Sequence, residues 1–488
     1  MKNVTIRDIV KITNGRLLDK ISDEKRNELL SEEVKDVVVD SRSIEDNTLF
    51  VAIVGENVDA HKFIPIVAQV IDVMLIEKSE EEILALSDAS SLPYDKAYIY
   101  VDSTVEALQA IGRYMRSVYE HKVIGVTGSV GKTTTREMIT HALKSSLNVF
   151  STSGNMNSQI GVPLTLSHIN DNESDIAVLE MGISEPGGMD ILTSMVNPDI
   201  AVCTMIGVAH IEFMKTREGI MHEKLRIASR MDENGVLFIN FDDQLLSGIK
   251  ESGDISFISD DGSAPKCKIL KYGTGSNADY RAEDIKYVDG FNTYTYVHGD
   301  KRVTVNLTQS GMHNILNSLV AMAVCDYIGL NTDKAAASLE TFEGLRQKEI
   351  ETDKGYTVID DTYNASPDSM KALINVLRDK PASGRRIAVL GDMFELGTNS
   401  DEYHREVGRY INKMYQEDAS SIDELITVGV SSCFISDEIK DTDISVSNFE
   451  TNAQASEYIK SILKPGDIIV LKASNGMKFC EIVKEIVD

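Results

Sequence analysis

Apolar runs at residues 123–126, 176–179, 200–203 and 236–239 alternate with segments whose apolar positions fall at helical spacing. Unbroken runs of this kind predict strands buried on both faces. Their alternation with helices predicts a mostly parallel sheet within residues 103–341. Residues 279–307 read differently: their alternation, clearest in Arg302-Val-Thr-Val-Asn-Leu307, predicts antiparallel strands that form an accessory layer. Residues 312–328 carry the pattern of a long helix, and Gly329 offers its stop. A second α/β rhythm, with strands expected at 357–359, 386–390, 425–428 and 468–471, predicts a smaller Rossmann-like domain. Ser366 and Pro367 supply an N-cap and a first-turn proline, and Met370, Leu373, Ile374 and Leu377 form the stripe that follows. Nearer the start, residues 5–17 predict an amphipathic helix with Ile6, Ile9 and Val10 on one side, and residues 37–42 and 49–53 predict a small mixed domain. The expected fold class is α/β in three domains: 1–102, 103–341 and 342–488.

Length and charge narrow the functional classes. A chain of 488 residues exceeds what one core usually serves. The formal charge of −28 disfavours nonspecific attachment to nucleic acid or anionic membrane, although it does not exclude a phosphate ligand held by local amides. The first ten residues lack an uninterrupted apolar core and no run is long enough to span a bilayer, so cytoplasm is the expected location. Cys203, Cys267, Cys325, Cys433 and Cys480 are scattered without paired spacing and read as free thiols.

The strongest chemical signal is Val123-Ile-Gly-Val-Thr-Gly-Ser-Val-Gly-Lys-Thr-Thr134, an apolar strand followed by a glycine turn, a lysine and hydroxyl residues. Gly128 and Gly131 let backbone N–H groups converge on anionic oxygens, Lys132 can reach terminal phosphates, and Thr133 can place a hydroxyl on Mg²⁺. The segment departs from a full Walker A motif at Val126, where that motif has glycine. Glu180 ends another strand, where it is either a hard-metal ligand or a loop carboxylate. His210 lies beyond a third strand, Lys224 follows Glu223 in a charged helical stretch that reads most simply as an exposed salt bridge, and Ser41 and Arg42 follow a valine strand. His313, Asn314 and Asn317 open the long helix, where amides can cap it or bind a purine. Asp361 stands at the mouth of the C-terminal sheet.

Taken in order, these segments resemble the Mur ligase family of ATP-dependent amide ligases over nearly the whole chain. The segments are Asp40-Ser-Arg42, Asp59-Ala-His-Lys-Phe63, Thr127 to Thr134, Glu180, Gly207-Val-Ala-His-Ile-Glu212, Lys224, His313-Asn314, Gly344-Leu-Arg346, Asp361-Thr-Tyr-Asn-Ala-Ser-Pro367 and Leu390-Gly-Asp-Met-Phe-Glu-Leu-Gly397. The resemblance implies that Thr127, Gly128, Ser129, Val130, Gly131, Lys132, Thr133, Thr134, Asn314, Arg346 and Asp361 contact ATP. It implies two Mg²⁺ ions held by Thr133, Glu180, His210 and a carbamylated Lys224 (N6-carboxylysine), and a UDP-binding region at Ser41 and Arg42. Lys132, Glu180, His210 and Lys224 are then the expected catalytic set. The implied reaction joins D-alanyl-D-alanine to UDP-N-acetylmuramoyl-tripeptide through an acyl phosphate in peptidoglycan synthesis, by a monomer without nucleic-acid or membrane partners. Departures from the family pattern occur at Ala60, Gly188, Ala473 and Asn475. They leave open a related ligase with another carboxylate and amine. A P-loop ATPase or kinase, and a silent nucleotide-binding scaffold, are also compatible with a phosphate loop of this kind.

Overall fold

The computed structural model describes residues 1–487 other than 2, 19–21, 171, 260–261, 289–290 and 345–346. Its first sheet has five strands in the order Arg16–Leu17, Ala97–Tyr100, Val73–Ile76, Thr48–Val51 and Asp36–Val38, parallel except for the first. The helix expected over residues 5–17 ends early, at Ile6–Ile12. Asn14 turns the chain at φ 50°, and Gly15 passes so close to the sheet that a Cβ there would fall 2.5 Å from Ile99 Cγ2. That close passage aligns Arg16 and Leu17 with Tyr100 and Ile99 as an edge strand.

Nine strands make the second sheet, in the order Lys301–Leu307, Phe291–His298, Tyr280–Val288, Lys268–Gly273, Val236–Asn240, Ile200–Cys203, Lys122–Thr127, Ile176–Glu180 and Val149–Ser151. The antiparallel strands expected as a separate layer instead extend this sheet, because Tyr272 and Gly273 pair in parallel with Tyr280 and Arg281. Tyr272, Tyr280, Tyr294 and Tyr296 are buried there. The long helix, observed at Met312–Tyr327, secures the extension through Tyr294 Oη to Ser318 Oγ (3.0 Å) and Tyr296 Oη donating to Asp326 Oδ2 (2.7 Å). Gly329, at φ 83°, ends that helix as its pattern predicted.

The third sheet runs Lys348–Glu351, Thr357–Asp360, Ile468–Lys472, Arg386–Gly391, Glu424–Val428 and Ser445–Phe449, parallel except at its first edge. Ser366 caps the helix Pro367–Asp379, and its expected stripe is buried. One apolar cluster runs from the first sheet into the second, through the helices Thr104–Val118 and Gly161–Ser167. Val208 belongs to the core of the third sheet. All five cysteines are free, and no helix among the described residues is long and apolar enough to cross a membrane.

Candidate active site

The phosphate loop leaves the carboxyl end of Lys122–Thr127 and becomes the helix Lys132–Leu143. Gly128 sits at φ 143°, where a Cβ would fall 1.9 Å from Thr204 Oγ1, so only glycine fits against the neighbouring strand end. Gly131 caps the helix at φ 87°. Two neighbours fix the loop: Thr204 Oγ1 donates to Val130 O at 2.6 Å, and the Ser129 amide donates to Met205 O at 2.8 Å. Lys132 folds back, its ammonium donating to Gly128 O at 2.9 Å. Thr127 Oγ1 and Ser129 Oγ are buried without hydrogen-bond partners.

Glu180 is almost wholly buried at the end of the adjacent strand. Burying an unpaired carboxylate costs several kcal/mol, on the order of what a whole domain has to spare. Two hydrogen bonds and one ion pair offset that cost: Thr133 Oγ1 (3.2 Å) and Asn157 Nδ2 (2.7 Å) donate to Oε1, and the Arg136 guanidinium faces Oε2 with Nε at 3.6 Å. Sequence reasoning missed Asn157 and Arg136. Arg136 was findable as the residue one helical turn beyond Lys132, whereas Asn157 lies in a polar loop without distinguishing pattern.

Lys224 departs from the exposed salt bridge that its charged surroundings suggested. It occupies the last turn of Arg217–Leu225 and is 1% exposed. Burial, and then the charge of Lys132, pull its pKa down to about 7. Glu223 is occupied elsewhere, accepting from the Met189 amide at 2.9 Å.

His210 reaches the joint between the second and third sheets, with Nδ1 2.5 Å from Glu395 Oε2. The histidine holds the Glu395 carboxyl below the usual range. Beside this pair opens a cavity of about 620 Å³ lined by Glu212, Lys215, Phe394, Glu395, Tyr403 and Ser431 among others.

At the start of the long helix, Asn314 Nδ2 donates to Ser310 O (2.8 Å), and Thr135 Oγ1 donates to Asn317 Oδ1 (2.9 Å), tying this helix to the one that begins at the phosphate loop. Asp361 is paired with Lys472, whose Nζ donates to Oδ2 at 2.6 Å in a buried setting. Sequence reasoning did not anticipate that partner. Ser41 and Arg42 lie on the turn after Asp36–Val38, and the exposed Arg42 clasps Asp40, holding that carboxyl at about 2. Arg346 lies outside the described residues.

Comparison with known proteins is decisive on kinship. The Mur ligase middle domain matches residues 126–325, and the Mur ligase glutamate ligase domain matches residues 345–475. A UDP-N-acetylmuramoyl-tripeptide--D-alanyl-D-alanine ligase of Bacillus subtilis is 33% identical over 491 residues, covering 99% of this chain and 98% of the relative. The chain belongs to the Mur ligase family. Among solved structures, MurF from Acinetobacter baumannii superposes on this Mur ligase with a TM-score of 0.84 at 26% identity, covering 99% of this chain and 98% of the other. The MurF ligase of Thermotoga maritima in complex with ADP gives a TM-score of 0.76 at 27% identity, covering 93% and 97%.

The residues of this Mur ligase suit nucleotide and magnesium. A loop open only to glycine at Gly128 cradles phosphate, while Thr133 and the buried Glu180 set hard oxygen donors side by side. Glu180 Oε2 is buried with no hydrogen bond, only the Arg136 guanidinium facing it at 3.6 Å, so a lone pair stays available to a hard cation. Among the described residues no three His, Cys, Asp or Glu side chains converge as a metal cluster. Mg²⁺ commonly takes one or two carboxylates and completes its shell with phosphate and water.

Proposed function

We propose that the chain is an ATP-dependent ligase joining D-alanyl-D-alanine to the terminal carboxyl of UDP-N-acetylmuramoyl-tripeptide, a step in peptidoglycan precursor synthesis. The observation that carries this reading is the end-to-end match to a Bacillus subtilis ligase of that name around an intact phosphate loop. A carboxylate oxygen of the tripeptide attacks the γ-phosphorus of ATP and ADP leaves. The dipeptide amine then attacks the acyl carbon, phosphate leaves, and the amine's proton passes to solvent. The reaction takes place in the cytoplasm, and the chain works as a monomer.

The site residues take these roles. Backbone amides from Gly128 to Gly131 bind phosphate, and Lys132 turns from its own loop carbonyls to the β and γ phosphates. Thr133, Glu180 and His210 hold magnesium, two ions in all, which when bound neutralise the negative charge that would otherwise keep carboxylate and phosphate apart. Lys224, partly free amine at a pKa of about 7, would add through its Nζ to carbon dioxide and lose a proton to solvent, giving a carbamate and so turning a buried cation into an anionic oxygen ligand. Asn314 and Asp361 approach the nucleotide from the second and third domains, and Ser41 and Arg42 serve the UDP end. The proposed boundaries remain 1–102, 103–341 and 342–488, each holding one of the three sheets.

Product detection tests the proposal. The enzyme is incubated with ATP, Mg²⁺, D-alanyl-D-alanine and UDP-N-acetylmuramoyl-tripeptide ending in either meso-diaminopimelate or L-lysine. Mass spectrometry should show a UDP-linked pentapeptide with one ADP per product. ATP turnover without that product from either tripeptide would refute the assignment.

A further inference from the structure

Three neighbouring strands of the second sheet, Lys122–Thr127, Ile200–Cys203 and Val236–Asn240, run parallel and end side by side. The phosphate loop leaves the first of them. Thr204, Met205 and Ile206 leave the second and grip that loop by three hydrogen bonds: the Thr204 amide to Thr127 O (3.0 Å), Thr204 Oγ1 to Val130 O (2.6 Å) and the Ser129 amide to Met205 O (2.8 Å). Amides that must meet phosphate oxygens are only as well placed as the segment that holds them.

That segment is in turn held at Ile206, which is fully buried. The Ile206 N–H donates to Asp243 Oδ2 at 2.9 Å, and its C=O accepts from Arg217 through Nη2 (2.8 Å) and Nε (3.2 Å). Asp243 stands in the turn after the third strand, where its other oxygen, Oδ1, accepts from the Leu245 and Leu246 amides at 2.9 and 3.0 Å. Only a carboxylate serves both sides, because it accepts at each oxygen whereas a side-chain amide accepts at one. Arg217 opens the helix whose last turn carries Lys224, so the same brace registers that helix against the phosphate loop. We propose that Asp243 and Arg217 are positioning residues: they brace Thr204 to Ile206 from opposite sides, and the brace sets the phosphate loop in the shape that receives nucleotide. This inference rests on the reading of that loop as the ATP phosphate site.

Calorimetric binding of ADP to the full-length chain tests it. Thr204→Ala removes the hydroxyl that holds Val130 and should weaken ADP about 5-fold or more, the scale of one hydrogen bond, and Thr204→Ser should restore it. Asp243→Asn is the decisive variant. Its side-chain oxygen can still accept from Leu245 and Leu246 and keep the turn, but its amide group then meets the Ile206 N–H donor against donor. It should weaken ADP by a similar factor. Both changes act along one path, so the double variant should lose little more than the worse single variant. Arg217→Met reads the brace from its other end, and serves in place of Asp243→Asn if that protein folds poorly. Far-ultraviolet circular dichroism and thermal melting check each protein. Wild-type ADP affinity in folded Asp243→Asn or Arg217→Met, even with a lowered melting temperature, would show a structural role only and overturn the inference. Unchanged affinity in Thr204→Ala, or losses that multiply in the double variant, would overturn it as well, with the phosphate-loop reading left standing. A wild-type chain that binds no ADP would overturn that reading itself.

Discussion

Lys132 and Lys224 are two lysines whose settings suit the opposite tasks proposed for them. The Lys132 ammonium is held by Gly128 O, a bond it can exchange for phosphate oxygens without leaving a buried cation unpaired. Lys132→Ala should therefore lower ligation by about 10²-fold or more, the scale of one lost transition-state contact. Binding of the UDP-linked substrate, measured by calorimetry, should be unchanged, and wild-type turnover would exclude a phosphate role for the loop lysine. For Lys224, burial matters most. At a pKa of about 7, roughly half of the side chain is free amine at neutral pH, against fewer than about one in a thousand for an ordinary lysine. Only the free amine adds to carbon dioxide. Lys224→Ala should lose turnover, added acetate should restore part of it, and ¹³C-bicarbonate should label the wild type alone. Activity should also fall as pH drops through about 7 and the amine protonates. A fully active enzyme that takes up no label would end the carbamate proposal.

Between elements, an ion pair links the first and second sheets, and its chemistry can be read from geometry. His168 follows the helix Gly161–Ser167, and Asp36 begins the strand Asp36–Val38. His168 Nε2 lies 2.6 Å from Asp36 Oδ1, while Nδ1 lies 2.7 Å from Leu164 O. Both ring nitrogens face acceptors, so both carry protons and the ring is a cation. The hydrogen bond to Asp36 raises the His168 pKa and lowers that of Asp36. The histidine's contribution is complete below its ordinary 6.5 and is lost as pH rises through its raised value. The carboxylate's contribution is complete above 3.8 and is lost as pH falls through its lowered value. The joint should be firmest between those limits. Both side chains are nearly half exposed, so solvent screening holds the coupling to about 1 kcal/mol or less. A double-mutant cycle of Asp36→Asn and His168→Ala, read by urea unfolding, should show coupling between those limits that fades at alkaline pH. Coupling that persists unchanged into alkaline pH would refute a cationic histidine.

Across the whole molecule, the proposed reaction would need groups from separate sheets at one place, which would shield an acyl phosphate from water. At Asp361 a structural role would mask the proposed nucleotide contact. Its carboxylate neutralises Lys472 in a buried pair, so Asp361→Ala strands a buried cation at a cost of about 3 kcal/mol or more. Loss of activity in that variant alone is thus uninformative. The double variant Asp361→Ala/Lys472→Met removes the stranded charge and should recover most of the thermal stability, while product formation stays low if Asp361 meets the nucleotide. Recovery of ligation with stability would assign Asp361 to the fold only.

The chain's local order determined the phosphate loop. Strand, glycine turn, lysine and helix are contiguous, and the φ values that exclude side chains at Gly128 and Gly131 belong to single residues. The same locality made the buried strands and the Ser366 cap legible, because burial on both faces and capping each leave a short-range pattern. The helix end was not legible because a contact distant in sequence decided it, Ile99 at Gly15, and sheet membership was not legible because the side on which Tyr280 pairs with Tyr272 leaves no periodic mark in the sequence. The site divides in the same way. Lys132 and Thr133 could be placed from their neighbours in sequence. The donors to Glu180, the burial of Lys224, the Lys472 partner of Asp361 and the reach of Glu395 to His210 depend on which strand ends the crossovers bring together. Tertiary structure alone fixed those, since charge and protonation respond to distance and desolvation, which spacing along a chain does not encode.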